Sequence, residues 1–274
     1  MFALKIKISM PIVIGVSIRR TKDKIYCDAG NFDLKLGERV IVQTENGLEV
    51  GIISEPEKFF EKGDKNLTII GKTIRQLTSA DEQRLKENEI KAHEVWKTIS
   101  QKIEDYELKM KLTALDYTFD RSKLFIYYTA EERVDFRELI KDLGHLLKTR
   151  IQMVQIGVRE ETRLLGGLGP CGRTVCCSIF LKDFQPVTVE LAKEQNLPLN
   201  IAKLTGLCGK LVCCLAYEHP FYQERRKHFP QVETIIKTDE GEAKVKEVNY
   251  LTGSITVEFS DGRIKKVNIR ELKS

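Results

Sequence analysis

The first 66 residues alternate short apolar runs with turn-forming residues. The runs are rich in Val, Ile and Tyr, and they lie at residues 12–18, 25–27, 39–44 and 48–54. Because β-branched and aromatic side chains favour extended backbone, each run is expected to form a strand. Asn46-Gly47 is typical of a tight hairpin, since both residues tolerate positive φ. The pattern predicts a small β-barrel-like domain over residues 1–66.

The period of the apolar residues changes between residues 67 and 160. A strand at 67–74 precedes a long helix with apolar residues every three or four positions, at Ala92, Trp96, Ile99, Ile103, Tyr106 and Met110. Strands at 111–119 and 123–129 precede a second helix, whose apolar face carries Phe136, Leu139, Ile140, Leu143, Leu146 and Leu147. A strand at 150–158 follows. This β-α-β-β-α-β order predicts a ferredoxin-like domain over residues 67–160.

The rest of the chain has two further parts. Residues 161–230 contain a glycine-rich loop and short helical segments, and they hold most of the cysteines. Residues 231–274 return to strands, at 234–237, 243–249, 254–259 and 263–269, with Gly-containing turns between them. This last part resembles a small SH3-like β-barrel. We therefore expect an α+β protein with four parts, of which the third is a Cys-rich region of loops and helices.

The composition predicts a cytoplasmic protein. With 42% hydrophobic and 31% charged residues, the 274-residue chain can bury more than one core. No run approaches the roughly 18 apolar residues of a membrane span. Lys5 and Lys7 interrupt the apolar start, which argues against a signal peptide. The net charge of +5 neither requires nor excludes a nucleic-acid partner.

Six of the seven cysteines lie in two matched heptapeptides. Residues 171–177 read CGRTVCC, and residues 208–214 read CGKLVCC, 37 positions later. The motif cysteines are Cys171, Cys176, Cys177, Cys208, Cys213 and Cys214. In a reducing compartment, clustered thiols are more often metal-binding or redox-active than disulfide-bonded. The duplication therefore predicts a site built from thiolate sulfur.

A soft metal centre requires several thiolates that converge, and tight turns can aim them at one point. The glycine after the first Cys of each motif permits such a turn, and Arg173 or Lys210 beside it offsets the negative charge of ionised thiols. Because neighbouring side chains diverge, we expect one member of each Cys pair to bind metal while the other packs or binds something adjacent. Cys27, alone on a predicted strand, is expected to be a core residue.

The spacing leaves the identity of the metal open. Structural zinc usually uses Cys-x₂-Cys, which neither motif contains. Cys-x₄-Cys occurs in one iron–sulfur pattern, whose remainder is missing here, so the spacing favours iron slightly. Redox-active dithiols and inert packed cysteines are the alternatives. His219 and His228 are further candidate ligands, although a histidine in a charged run is usually solvated.

The sequence shows no arrangement typical of an enzyme. Residues 166–169 read GGLG, which lacks the Lys-Ser/Thr of a P-loop and does not follow the dinucleotide-binding fingerprint. No nucleophile is matched with a base, and no pair of carboxylates has a reason to be catalytic. We therefore expect no catalytic residues.

Around the cysteines the sequence resembles the PSP1 family, and within it the RicT (YaaT) proteins of bacteria. The resemblance rests on the doubled motif and on the sequence around it: GGLGPCGR at 166–173, AKEQNL at 192–197 and LTGLCGKL at 204–211. The N-terminal segment VIGV at 13–16 is also similar to the corresponding part of the family. The resemblance covers most of the chain and is most specific near the two motifs.

The resemblance implies a non-catalytic cytoplasmic adaptor in a complex with two small helical partners of the RicA/RicF type. Such a complex holds 4Fe–4S clusters and assists an endoribonuclease in maturing messenger RNA, and in spore formers it also influences a phosphorelay. All six motif cysteines match the family pattern, so the cluster role carries over to them. They are two fewer than the eight that two all-cysteine clusters require, which leaves either one complete cluster at the junction of the repeats or sites completed by thiolates from another chain. The resemblance implies partner-supplied thiolates for at least one cluster.

The alternative hypothesis is an RNA-binding module with a structural zinc site. RNA-binding sheets commonly present aromatic side chains on which bases stack. The predicted strand at 123–129 carries Phe125, Tyr127 and Tyr128, which are candidates for that role.

Overall fold

The structure is a computed structural model that describes residues 12–20, 23–30, 32–59 and 69–271. It divides into an N-terminal and a C-terminal unit, with the boundary between Leu165 and Gly166. Residues 1–11, 21–22, 31 and 60–66 of the predicted barrel region, and residues 67–68 of the strand predicted next, lie outside the described residues. The boundaries of the four predicted domains stay predictions.

Five strands of the N-terminal unit close into a barrel in the order β1-β2-β5-β3-β4. They are β1 (Ile12–Ile18), β2 (Asp23–Asp28), β3 (Arg39–Thr44), β4 (Gly47–Phe59) and β5 (Ile69–Gln76). Their inward-facing side chains form an apolar core that includes Val16, Cys27, Val40, Val42 and Ile53. The predicted barrel-like region is therefore confirmed.

The strand predicted at 67–74 belongs to this barrel. It is β5, which pairs in parallel with β2 and antiparallel with β3. The three later strands form a separate sheet in the order β6-β7-β8. The ferredoxin-like domain is therefore not confirmed, because its first strand closes the barrel instead of joining this sheet.

The three-stranded sheet is formed by β6 (Lys111–Tyr117), β7 (Lys123–Thr129) and β8 (Arg150–Gln155). Helix α1 (Ser79–Asp105) precedes it, α2 (Arg137–Leu147) connects β7 to β8, and α3 (Val158–Leu165) follows. One face of the sheet packs against apolar residues of α1 and α2, namely Ala92, Ile99, Ile103, Leu139 and Leu143. The two predicted amphipathic helices are thus present, although Tyr106 and Met110 lie beyond the end of α1.

The central strand β7 is buried on both faces. Leu124 and Ile126 contact the helices, while Phe125 and Tyr127 pack in a second cluster on the opposite face. Phe125, Tyr127 and Tyr128 are each less than 5% exposed. Their rings cannot stack on RNA bases in this conformation, which removes the main structural support for the stacking hypothesis.

The C-terminal unit contains four short helices and a four-stranded antiparallel sheet. The helices are α4 (Cys176–Ile179), α5 (Val189–Glu194), α6 (Ile201–Leu204) and α7 (Cys214–Arg226). The strands are β9 (Ile235–Thr238), β10 (Gly241–Asn249), β11 (Ser254–Phe259) and β12 (Ile264–Asn268), followed by a 3₁₀ turn at Ile269–Glu271. They lie in the order β12-β11-β10-β9, so the predicted strands are confirmed, without closure into an SH3-like barrel among the described residues. No helix in the described part of the chain is both long and apolar enough to cross a bilayer.

Candidate metal centre

The two cysteine motifs fold into loops with the same hydrogen bonds. In the first loop, the Gly169 N–H donates to the Arg173 carbonyl at 2.8 Å. In the second, the Gly206 N–H donates to the Lys210 carbonyl, also at 2.8 Å. Each loop is closed by one isolated antiparallel bridge, Leu168 with Thr174 and Thr205 with Leu211. The sequence repeat is therefore a structural repeat.

Glycine follows the first Cys of each loop for a conformational reason. Gly172 has φ +75° and Gly209 has φ +74°, which is the left-handed region that other residues rarely adopt. No atom lies within 4 Å of where a Cβ would stand at either position, so space is not the constraint. The turn itself requires glycine.

A helix begins at the Cys pair of each motif. Helix α4 starts at Cys176, and α7 starts at Cys214 with Cys213 at its N-cap. Cys176 and Cys213 correspond in the sequence repeat, so the helix of the second motif begins one residue later than that of the first. Phe180 and Tyr217, which are also 37 positions apart, contact each other edge to face with ring centroids 5.0 Å apart.

The thiols of the two motifs lie near one another. Burial raises the pKa of the Cys214 thiol to about 11, and negative charge on Cys176, Glu218 and Cys213 adds to the increase. Cys176 belongs to the first motif, so its effect on Cys214 shows that the fold brings the two motifs together. A Cβ at Gly167 would stand 2.7 Å from Leu207, which places the residues before the two motifs in close contact as well.

The six motif thiols differ in exposure. Cys171 is exposed, Cys177 is buried, and Cys176, Cys208, Cys213 and Cys214 are half-buried. All seven cysteines of the chain are described, and all are reduced. Within the described residues, no group of three or more His, Cys, Asp or Glu side chains is already arranged to hold a metal ion. The assignment of the six cysteines as ligands stays a prediction.

The two candidate histidines and the seventh cysteine, which lie outside the motifs, each have surroundings of their own. His219 Nδ1 lies 3.4 Å from the Glu194 carboxylate, and His228 Nε2 lies 3.8 Å from that of Glu224. Cys27 is fully buried in the barrel core, as expected, and burial together with the charge of Glu49 raises the pKa of its thiol to about 12.

These differences predict an order of alkylation. In the metal-free chain at pH 8, iodoacetamide is expected to modify the exposed Cys171 first and Cys27 last. With a pKa of about 12, only about one Cys27 thiol in ten thousand is ionised at that pH, and it is also shielded from the reagent. Peptide mass spectrometry over a time course measures the order, and a denatured sample in which all seven thiols react is the control. Equal rates of alkylation at Cys171 and Cys27 in the folded chain would contradict the burial of Cys27 and the exposure of Cys171.

Two polar residues between the motifs support the site and were not predicted as part of it. Gln195 is buried, and its Nε2 donates to the Leu215 carbonyl at 2.7 Å, one residue after Cys214. Asn196 has φ 55°, and its Nδ2 donates to the Val248 carbonyl of β10 at 2.6 Å. An Asn after a short helix is a signal for the left-handed conformation, but the sequence does not indicate which carbonyl each amide contacts.

Comparison with protein families gives two matches. Residues 71–156 match the PSP1 C-terminal conserved region, and residues 186–229 match the third domain of PSP1-like proteins. The second match contains the second cysteine motif, whereas the first motif lies between the two matched regions. No solved structure matches the chain.

Individual relatives come from a bacterium and from yeasts. Stage 0 sporulation protein YaaT of Bacillus subtilis is 42% identical over 247 residues, which cover 90% of this chain and 90% of YaaT. Protein PSP1 of Saccharomyces cerevisiae is 48% identical over 50 residues, which cover 18% of this chain and 6% of the yeast protein. The uncharacterized protein PB7E8.02 of Schizosaccharomyces pombe is 44% identical over 55 residues, 20% of this chain and 7% of that protein. Because the similarity to YaaT extends over nearly the whole of both proteins, the chain belongs to the PSP1 family of YaaT-like proteins.

Proposed function

We propose that this chain is a non-catalytic adaptor subunit of a multiprotein complex and that its twin cysteine motifs bind 4Fe–4S clusters. The observation that carries the proposal is the proximity of thiols from both motifs, seen in the effect of Cys176 and Cys213 on Cys214. Two loops of the same conformation thus present cysteines from distant parts of the sequence to one region. Such an arrangement of cysteines is expected if a bound group links the two loops.

The donor set fits this cluster chemically. Thiolates are the usual ligands of iron–sulfur clusters, and six are available on the two loops. Arg173 and Lys210 are both exposed beside the first Cys of their motifs, where they offset the negative charge of ionised thiols. A bound cluster would supply iron–thiolate bonds between the loops and a centre sensitive to oxidation. Gln195 would hold the start of α7, and with it Cys213 and Cys214, in position.

We further propose that other proteins complete the site. The six motif cysteines are too few for two all-cysteine clusters, so thiolates from two small helical partners of the RicA/RicF type would supply the rest. In this proposal the complex assists an endoribonuclease in maturing messenger RNA. The name of its relative, Stage 0 sporulation protein YaaT, supports an additional role in sporulation where the host forms spores.

Iron and sulfide analysis of anaerobically purified protein tests the proposal. Co-purification with the two partners is expected to give about four iron and four sulfide per bound cluster, with visible absorption that bleaches on exposure to air. The chain alone is expected to hold much less iron, because cluster binding and complex formation stabilise each other. Tightly held zinc without sulfide in both preparations would contradict the proposal and support a structural zinc site. Two complete clusters on the isolated chain would contradict the requirement for partner thiolates.

A further inference from the structure

An open groove with charge of one sign lies beside the C-terminal end of α2. Its volume is about 600 Å³, and three cations line it: Lys123, Lys148 and Arg150. None of the described residues that line the groove is acidic. The lining also includes Ile140, Gly144 and Ile151.

The three cations are close together and poorly compensated. Lys123 and Arg150 are register partners on the adjacent parallel strands β7 and β8, and like charges in that relation repel each other. Lys148 is two residues before Arg150, at the end of α2, with φ 50°. Lys123 donates from Nζ to the neutral Asn46 Oδ1 at 2.6 Å, and the same Nζ lies 5.9 Å from the centre of the Phe125 ring. None of the three cations forms an ion pair with a described residue. An anion in the groove would relieve this repulsion.

We propose that this groove binds the phosphate backbone of single-stranded RNA. Lysine is depleted at protein–protein interfaces, whereas lysine and arginine together are the usual contacts of phosphate oxygens. Two of the three cations are lysines, so the composition of the groove favours a nucleic acid over an acidic protein. An open groove also suits a polymer that continues beyond it at both ends.

Binding is expected to be independent of base sequence. The aromatic residues of the neighbouring strand, Phe125, Tyr127 and Tyr128, are buried and cannot stack on bases. Recognition then comes from charge, and the groove has room for the chain at Gly144, where no atom stands within 4 Å of an added Cβ. The groove belongs to the N-terminal unit and contains no cysteine, so this proposal does not depend on the proposed cluster site.

Fluorescence anisotropy with a short labelled oligouridylate tests the proposal on the full chain. Three phosphate contacts on a single strand predict a slope of about −2 when the logarithm of the association constant is plotted against that of the salt concentration. The double variant Lys148→Gln/Arg150→Gln is expected to reduce that slope by about 1.4 and to weaken binding roughly 10- to 30-fold at 0.1 M salt. A labelled oligoadenylate is expected to bind within about twofold of the oligouridylate, since stacking does not contribute.

A matched control variant separates the groove from the overall charge of the protein. Arg137→Gln/Lys141→Gln removes the same charge from exposed positions of α2, the helix that precedes Lys148, where each cation is paired with an acidic residue, Asp135 or Glu138. This variant is expected to bind RNA within about twofold of the wild type. An equal loss of affinity in the two double variants would overturn the proposal, because the effect would then be one of net charge alone.

A second pair of variants tests the groove without removing a cation. Gly144→Glu places a negative charge in the open space, and Gly144→Gln places a neutral side chain of similar size there. We expect Glu to weaken RNA binding at least several-fold more than Gln, with both proteins melting no lower than the wild type, since both residues favour a helix more than glycine does. Equal binding by the two variants would overturn the proposal. Displacement of the RNA by oligoglutamate at an equal concentration of charges would also overturn it and assign the groove to an acidic protein.

Discussion

Replacing Cys176 or Cys214 by serine is expected to lower the iron and sulfide content of the partner-bound complex by roughly tenfold or more, because each change removes a thiolate ligand. Cys176 begins α4 and Cys214 begins α7, and the two thiols are close enough for the charge of one to raise the pKa of the other. Iron and sulfide per chain, measured anaerobically, give the result directly. Circular dichroism of each variant shows whether the fold is kept.

The matched control for this prediction is Cys27→Ala. It also removes a single thiol, but from the barrel core, where the sulfur is fully buried and its pKa is raised to about 12. Alanine is preferable to serine here because a hydroxyl in an apolar core adds the cost of burying a polar group. We expect this variant to keep its iron, even if its stability falls by about 1–2 kcal/mol as the core loses the volume of the sulfur. Equal loss of iron in all three variants would show that the twin motifs are not the site.

Gly51→Ala is expected to destabilise the barrel by about 3 kcal/mol, at the upper end of the usual cost of overpacking a core. A Cβ at Gly51 would overlap the Cγ1 of Val16 and stand 3.0 Å from the Cγ2 of Ile18 and 3.2 Å from the Ser17 carbonyl oxygen. Val16 is fully buried and Ile18 nearly so, so neither side chain has room to move away. The strain therefore falls on the pairing of β1 with β4, where Gly51 is the register partner of Ile18.

Hydrogen exchange measured by mass spectrometry locates this effect. Peptides from β1 and β4 are expected to exchange faster in Gly51→Ala, by up to roughly a hundredfold if exchange occurs by opening of the barrel. Gly144→Ala is the control, because it adds the same methyl group in α2, where nothing lies within 4 Å. That variant is expected to be unchanged or more stable by about 0.5–1 kcal/mol, since alanine favours a helix more than glycine does. Wild-type exchange rates in the barrel of Gly51→Ala would contradict the close packing of β1 and β4.

Local patterns identified most elements of this protein but not always the sheet that contains them. The β-branched run near residue 70 correctly indicated a strand, because β propensity depends on the residues of the strand itself. The residues it pairs with in β2 and β3 lie 29 or more positions away in the sequence, and only the closed barrel shows that β5 joins them. The expected ferredoxin-like sheet is not confirmed for this reason.

The aromatic residues of β7 show a similar limit. Their alternation with other apolar residues indicated a strand, yet a strand with one exposed face and a strand buried on both faces share such a pattern. Burial of Phe125 and Tyr127 depends on the cluster they form with Ala114 and Ile156, from two other parts of the unit. Whether a ring is available to RNA is therefore a property of the packing.

The repeated motif by itself determined that this protein has two matching cysteine-containing turns, because a matched run of Cys, Gly, a base and a Cys pair specifies the same local turn twice. The turns depend on positive φ at Gly172 and Gly209, which is a property of glycine and needs no tertiary contact. Only the tertiary structure decided that Cys176 approaches Cys214, that Cys171 stays exposed, and that Gln195 holds the start of α7. The physical reason is that these relations arise from packing between residues far apart in the chain, which spacing along the sequence cannot specify.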